Sequence, residues 1–183
     1  MPAHESSMPL LRPIPIPTKG HHFFRRIWNW MTYIRQWEVA ENYIMYIEYL
    51  NCYILIPGTY KDGDKTTPGF IFDGASIPKI LTNLLAPTGI LFMPGLAHDF
   101  GYKYGHLLSP SGIKMFEGMP QAFFDEMFDK ISLQVNGMKI PSFLAWGALR
   151  CFGFLAWNGH RKVKATTEKM FPHLTLTTIR AKK

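Results

Sequence analysis

Cysteine is scarce in this chain. Only Cys52 and Cys151 occur, far apart and in no Cys-x-x-Cys spacing, which leaves no basis for a zinc site or for a disulfide framework. Acidic residues are the second shortage: 13 Asp and Glu stand against 20 Lys and Arg, for a net charge of +7. That excess sits at the ends. Residues 1–37 carry 5 basic and 1 acidic side chains, residues 38–158 carry 8 and 11, and residues 159–183 carry 7 and 1. The middle is mildly acidic, so the positive charge belongs to the terminal segments and says nothing about the fold. A charged-then-apolar leader is also missing, so no export route is expected. The apolar stretch from Phe143 to Trp157 is short for a membrane span and holds Arg150 at its middle. It reads as the central core helix, and no transmembrane segment is expected.

What is abundant is apolar and aromatic material, 47% and 15% of 183 residues, enough for one domain with a substantial core. The organisation follows from composition. Residues 1–20 hold Pro2, Pro9, Pro13, Pro15 and Pro17, and a chain that loses donors at this rate is an extended arm rather than a helix. Residues 21–37 are basic and aromatic, with Phe23, Ile27, Met31 and Ile34 at helical spacing, which predicts a short amphipathic helix. Residues 38–158 form the compact domain, and residues 159–183 a basic tail.

Within the domain the period changes once. From residue 38 to 73, Tyr43, Ile44, Tyr46, Ile47, Tyr53, Ile54 and Ile56 mark strands, punctuated at Pro57-Gly58 and at Lys61-Asp62-Gly63-Asp64-Lys65. A small antiparallel sheet of about three strands is expected, ending at Phe70 to Phe72. Four helical stretches follow: Lys79 to Leu85, Pro94 to Gly105, Pro120 to Val135 and Pro141 to Trp157. On the third, Phe124, Met127 or Phe128, Ile131 and Val135 make the buried stripe, leaving Gln121, Asp125, Asp129 and Lys130 to face elsewhere. The fold class is α+β, a small sheet beside a bundle of about four helices.

Two boxes carry the chemistry. In Gly69-Phe70-Ile71-Phe72-Asp73-Gly74-Ala75-Ser76-Ile77-Pro78 a strand meets an Asp73-Gly74 turn, and Ser76 is placed to cap a helix that Pro78 begins. In Leu96-Ala97-His98-Asp99-Phe100-Gly101-Tyr102, Tyr102 lies one turn beyond His98 on the same helix face. Together these boxes resemble the domain of unknown function 1353, found in phages and prophages, some of whose members are described as phage tail proteins. The resemblance spans about Trp37 to Trp157. Where that family opens a later helix with Ala-Asp-x-x-Phe, this chain has Pro120-Gln121-Ala122-Phe123-Phe124, so Gln121 replaces the acid.

His98, Asp99 and Tyr102 also resemble the His-Asp-x-x-Tyr helix of secreted A2-class phospholipases. That resemblance implies His98 as the base that activates water and Asp99 as a calcium ligand, with a second acid on a facing helix to orient the imidazole. The chain departs from the class in lacking its disulfides and its Gly-rich calcium loop. Asp125 is the nearby substitute for the facing acid. A second reading of the same residues is structural: His98 and Asp99 hydrogen-bond to the Asp73-Gly74 turn and, with Ser76 and Pro78, lock strand to helix. Ser76-Ile77-Pro78-Lys79 matches Ser-x-x-Lys, but Lys-Thr-Gly and Ser-Asp-Asn partners are absent.

The expectation that follows from the family resemblance and the ends is a structural component of a phage virion, of its tail or baseplate, assembled in the host cytoplasm. Residues 1–37 and 159–183 would contact other virion subunits. Nucleic acid is the less favoured partner, because the basic tail lacks interleaved aromatics. No cofactor is expected in that role. The alternative is a hydrolase of lipid or cell wall that uses a His-Asp dyad, with calcium at Asp99.

Overall fold

In the computed structural model, residues 8–15, 22, 24, 36–72, 91–163 and 166–174 are described. Four expected features fall wholly or largely outside them: the network of Asp73, Gly74, Ser76 and Pro78, the helix at 79–85, most of the basic aromatic helix, and the end of the tail.

The fold is α+β, with small antiparallel sheets beside a group of helices. The three-stranded sheet is built from β1 (Leu11–Pro13), β2 (Trp37–Val39) and β7 (Ile71–Phe72), in the order β1-β2-β7. The Pro-rich stretch is thus extended at Leu11–Pro13, and its backbone pairs with the domain's own β2. Pro13 on β1 costs little there, because β1 is an edge strand.

Between β2 and β7 lie two hairpins. One joins β3 (Tyr43–Ile47) and β4 (Cys52–Ile56), with Asn51 in the left-handed region at φ 49°. The other joins β5 (Tyr60–Asp62) and β6 (Lys65–Thr67) through Gly63 at φ 57°. The strand signals of residues 38–72 are therefore realised as hairpins plus one sheet whose members come from distant parts of the chain. Glu38 fastens the sheet to the next loop, accepting hydrogen bonds from Thr59 Oγ1 at 2.6 Å and Gly69 N at 3.0 Å. Gly69 is required for that closeness, since a Cβ there would meet the Val39 carbonyl oxygen at 2.0 Å.

The helices are α1 (Phe92–Tyr104), α2 (Gln121–Asn136), α3 (Lys139–Val163) and the short α4 (Thr167–Met170). A ribbon of β8 (Leu107–Leu108) and β9 (Lys114–Met115) connects α1 to α2. Helix α1 starts two residues before Pro94, which sits harmlessly in the first turn where N–H groups lack intrahelical partners. It ends on Gly105 at φ 75°, whose N–H returns to the Gly101 carbonyl.

Helix α1 is buried almost all round, by Phe92, Met93, Leu96, Ala97, Phe100, Tyr102 and Tyr104, and a helix buried on every face is the centre of its domain. This corrects the expectation for Phe143 to Trp157. On α3 only Ser142, Ala145, Leu149 and Gly153 are buried, while large apolar side chains point outward. Against α1 pack α2 and the strand layer, with Phe70, Phe124, Met127, Ile131, Ile54 and Ile56 completing the core. Gly101 sets the α1–α2 distance, because a Cβ there would meet the Phe124 ring at 2.3 Å. The α2 stripe differs from expectation at two positions: Val135 is 40% exposed and Asp125 is fully buried.

Candidate functional site

His98 lies on α1 where it meets α2, and both its ring nitrogens face carboxylates. Nε2 is 3.2 Å from Asp125 Oδ1, and Nδ1 is 3.3 Å from Asp99 Oδ1. The ring is 3% exposed, packed against Tyr102 with centroids 3.9 Å apart and edge-on to Phe128 at 5.6 Å. Structure thus brings together His98, Asp99 and Tyr102, and adds Asp125.

Asp125 is the hub. Its Oδ1 accepts a short hydrogen bond from Tyr102 Oη as well as facing His98. Its Oδ2 accepts from Arg150 Nη1 at 3.1 Å and from Gln121 Nε2 at 3.4 Å. A fully buried carboxylate is costly unless paired and hydrogen-bonded in this way. Burial pushes its pKa up, but the hydrogen bonds from His98, Tyr102 and Arg150 and the charge of His98 outweigh burial and leave it below the usual carboxylate range.

The opposite balance acts on His98. Burial alone favours the neutral ring, yet Asp125 and Asp99 overcome it and raise its pKa above 6.5. Tyr102 is held protonated by burial and by donation to Asp125.

Sequence reasoning named Asp125 only as a substitute and read Arg150 as an argument against a membrane span. Each carried a usable signal. Asp125 and Ser132 share a helix side with Phe128, so an acid stands inside an apolar stripe. Arg150 is the lone charge between Phe143 and Trp157, and a cation in such a helix needs an anion within reach. Gly153 gave no signal at all. Its function is spatial, since a Cβ there would meet Tyr102 Oη at 2.6 Å and Gln121 Nε2 at 3.1 Å.

Above His98 opens a cleft of about 180 Å³, walled by Phe70 and Phe72 from the strand layer, Phe128 from α2, and Ala145, Leu149 and Phe152 from α3. Gln36, His98, Asp99, Tyr102, Lys103 and His160 supply its polar surface. Lys103 donates to the Ile71 carbonyl at 3.2 Å and lies over the Phe70 ring, which places one positive charge at the wall.

Asp99 differs from Asp125. Its side chain is 15% exposed, and its Oδ2 is buried with no hydrogen-bond partner. An orphaned carboxylate oxygen is a fitting first ligand for calcium. The rest of the donor set is lacking among the described residues: no group of three His, Cys, Asp or Glu is placed to hold a metal, and Asp125 is already committed to four partners.

Comparison with protein families, with curated proteins and with solved structures returns no match.

Proposed function

We propose that this chain is a hydrolase of acyl esters, with His98 as general base and Asp125 as the residue that orients it. The observation that carries this reading is a buried Asp125–His98 pair at 3.2 Å, opening on its other side into an apolar cleft. Asp125, held ionised, fixes the proton on Nε2 and leaves Nδ1, which faces Asp99 at 3.3 Å, as the basic atom once water enters between them. Nδ1 takes a proton from water as the water oxygen attacks the ester carbonyl. The proton then passes to the alkoxide as the C–O bond breaks. The imidazolium formed between these steps lies between two carboxylates, which favours the charge as it develops. Apolar walls suit an acyl chain rather than a glycan, so lipid is favoured over cell wall.

The test is release of fatty acid from phospholipid and of alcohol from a short-chain soluble ester, for the full chain and for His98→Ala. General-base catalysis is worth about 10²–10⁴-fold, so turnover should fall by that factor with the fold intact by circular dichroism. Undiminished turnover in His98→Ala refutes the assignment.

The virion-subunit reading rests on a different observation, the resemblance carried by the Gly69–Pro78 and Leu96–Tyr102 boxes together with the basic ends of the chain. A particle can carry a hydrolase, so the two readings are compatible. Quantitative mass spectrometry of purified particles tests the second: a fixed, symmetry-compatible copy number supports it, and absence from the particle removes it.

A further inference from the structure

Helix α3 is apolar on two opposite sides. Ser142, Ala145, Leu149 and Gly153 face the domain, and at about 100° per residue Ile140, Phe143, Leu144, Gly147, Cys151, Phe154 and Leu155 fall on the far side. The usual size order is inverted, with small residues inside and large ones outside. Ile140 is 74% exposed, Leu155 65%, Phe143 63% and Leu144 51%, so the stripe is unsheltered along nearly its whole length. A contiguous apolar surface of this kind marks an interaction site.

Charge and chemistry select the occupant. Helix α3 contains no Asp or Glu, and Lys139 and Lys162 stand exposed at its two ends, while Arg161 is turned inward to donate to the Tyr102 carbonyl at 2.7 Å. Trp146 is half-buried beside Phe143, their ring centroids 5.9 Å apart, whereas Trp157 packs inward on Tyr102 and Phe124. An apolar centre with a lysine at each end and no acid along the helix matches the surface of an anionic bilayer. A protein partner would meet large apolar side chains with no acid to pair and little polar patterning to fix register, whereas a fluid apolar phase needs neither.

The helix is long and apolar enough to cross a membrane by length and composition. It is nevertheless fastened to the domain along its inner side. Ser142 Oγ is 2.6 Å from Ser132 Oγ, Arg150 pairs with buried Asp125, and Gly153 lies against Tyr102. Crossing would tear out these contacts; lying flat keeps them.

We propose that the outer face of α3 docks in the plane of an anionic lipid bilayer. Because Ala145, Leu149 and Phe152 of the same helix wall the cleft, docking brings lipid to its mouth. That last step rests on the hydrolase reading; the docking itself does not.

The experiment is co-sedimentation of the full chain with phosphatidylcholine vesicles, with and without phosphatidylglycerol, beside the double variant Phe143→Glu/Leu155→Glu. Binding should appear with phosphatidylglycerol and weaken with salt. It should fall about tenfold or more in the variant, because returning Phe and Leu to water and adding like charge to the lipid exceeds one decade in Kd. Unfolding by urea should change little, since both side chains are already exposed. No binding by the wild type, or equal binding by the variant, overturns the proposal. So does a dimer by light scattering that the variant dissociates, which would assign the face to a second copy. Vesicle binding without fatty-acid release keeps the docking face and removes the hydrolase; turnover of a soluble ester without vesicle binding does the reverse.

Discussion

The two sides of His98 are built differently. On the α2 side Asp125 is fully buried and saturated by His98, Tyr102, Arg150 and Gln121. On the other side Asp99 is partly exposed, gives one oxygen to His98 and leaves the second without a partner. One carboxylate is a fixture and the other is available. A site that only held helices together would gain from saturating both, because a half-satisfied buried network costs more than it returns. The asymmetry suits the proposed base: one nitrogen anchored, the other facing a carboxylate with a coordination position to spare.

The largest expected effect separates the two acids by stability. Asp125→Ala strands the Arg150 guanidinium and the His98 ring beside a cavity, and breaking a buried pair from one side costs about 3–5 kcal/mol. Asp99→Ala removes a less buried group with one partner and should cost about 1 kcal/mol or less. Chemical denaturation of both variants checks the contrast, and equal losses would abolish it.

Next in size is the backbone approach that keeps Asp125 saturated. Gly153→Leu drives a side chain into Tyr102 Oη and Gln121 Nε2, and overpacking of this kind costs about 1–3 kcal/mol. Turnover should fall further than stability does, because Tyr102 and Gln121 both position Asp125. Gly159→Leu, where a Cβ meets nothing within 4 Å, is the control on the same helix.

The subtlest contrast is in pH. His98 has a raised folded pKa, so its stabilising contribution is complete below the unfolded value near 6.5 and fades as pH rises through the folded value. Asp125 has a lowered folded pKa, so its contribution is present above the unfolded value near 3.8 and fades as pH falls through the folded value. Thermal stability should therefore be greatest between these limits. Turnover, which needs neutral His98, should rise with pH above 6.5. Asp99→Asn removes one of the charges that raise the His98 pKa, so the rising limb of kcat/KM should move to lower pH. NMR titration of the His98 ring measures the same shift directly, and an unmoved limb would mean that Asp99 does not act on the imidazole.

The same division between fixed and available runs through α3, whose inner and outer faces are both apolar. Hydropathy alone reads Phe143 to Trp157 as core. Burial is instead decided by which face can approach α1 and α2 closely, and only the side carrying Ser142, Ala145 and Gly153 is shallow enough. The large residues were left outside because no other described element packs over them.

Sequence by itself determined the local matters. The α+β class, the hairpin at Asp62-Gly63-Asp64, the helices near 94–105 and 120–135, and the placement of His98 one turn from Tyr102 all follow from period, turn residues and propensity, which act over a few residues. It also singled out His98, Asp99 and Tyr102 by motif, while the Asp73, Gly74, Ser76 and Pro78 network lies outside the described residues. Tertiary structure decided the rest. That Leu11–Pro13 joins Trp37–Val39 in one sheet, that α1 rather than α3 is central, and that Asp125 and Arg150 converge on His98 depend on contacts between distant residues. Those contacts are set by helix crossing and by glycines at 101 and 153, whose effect is to remove a Cβ from a place that only the folded chain defines.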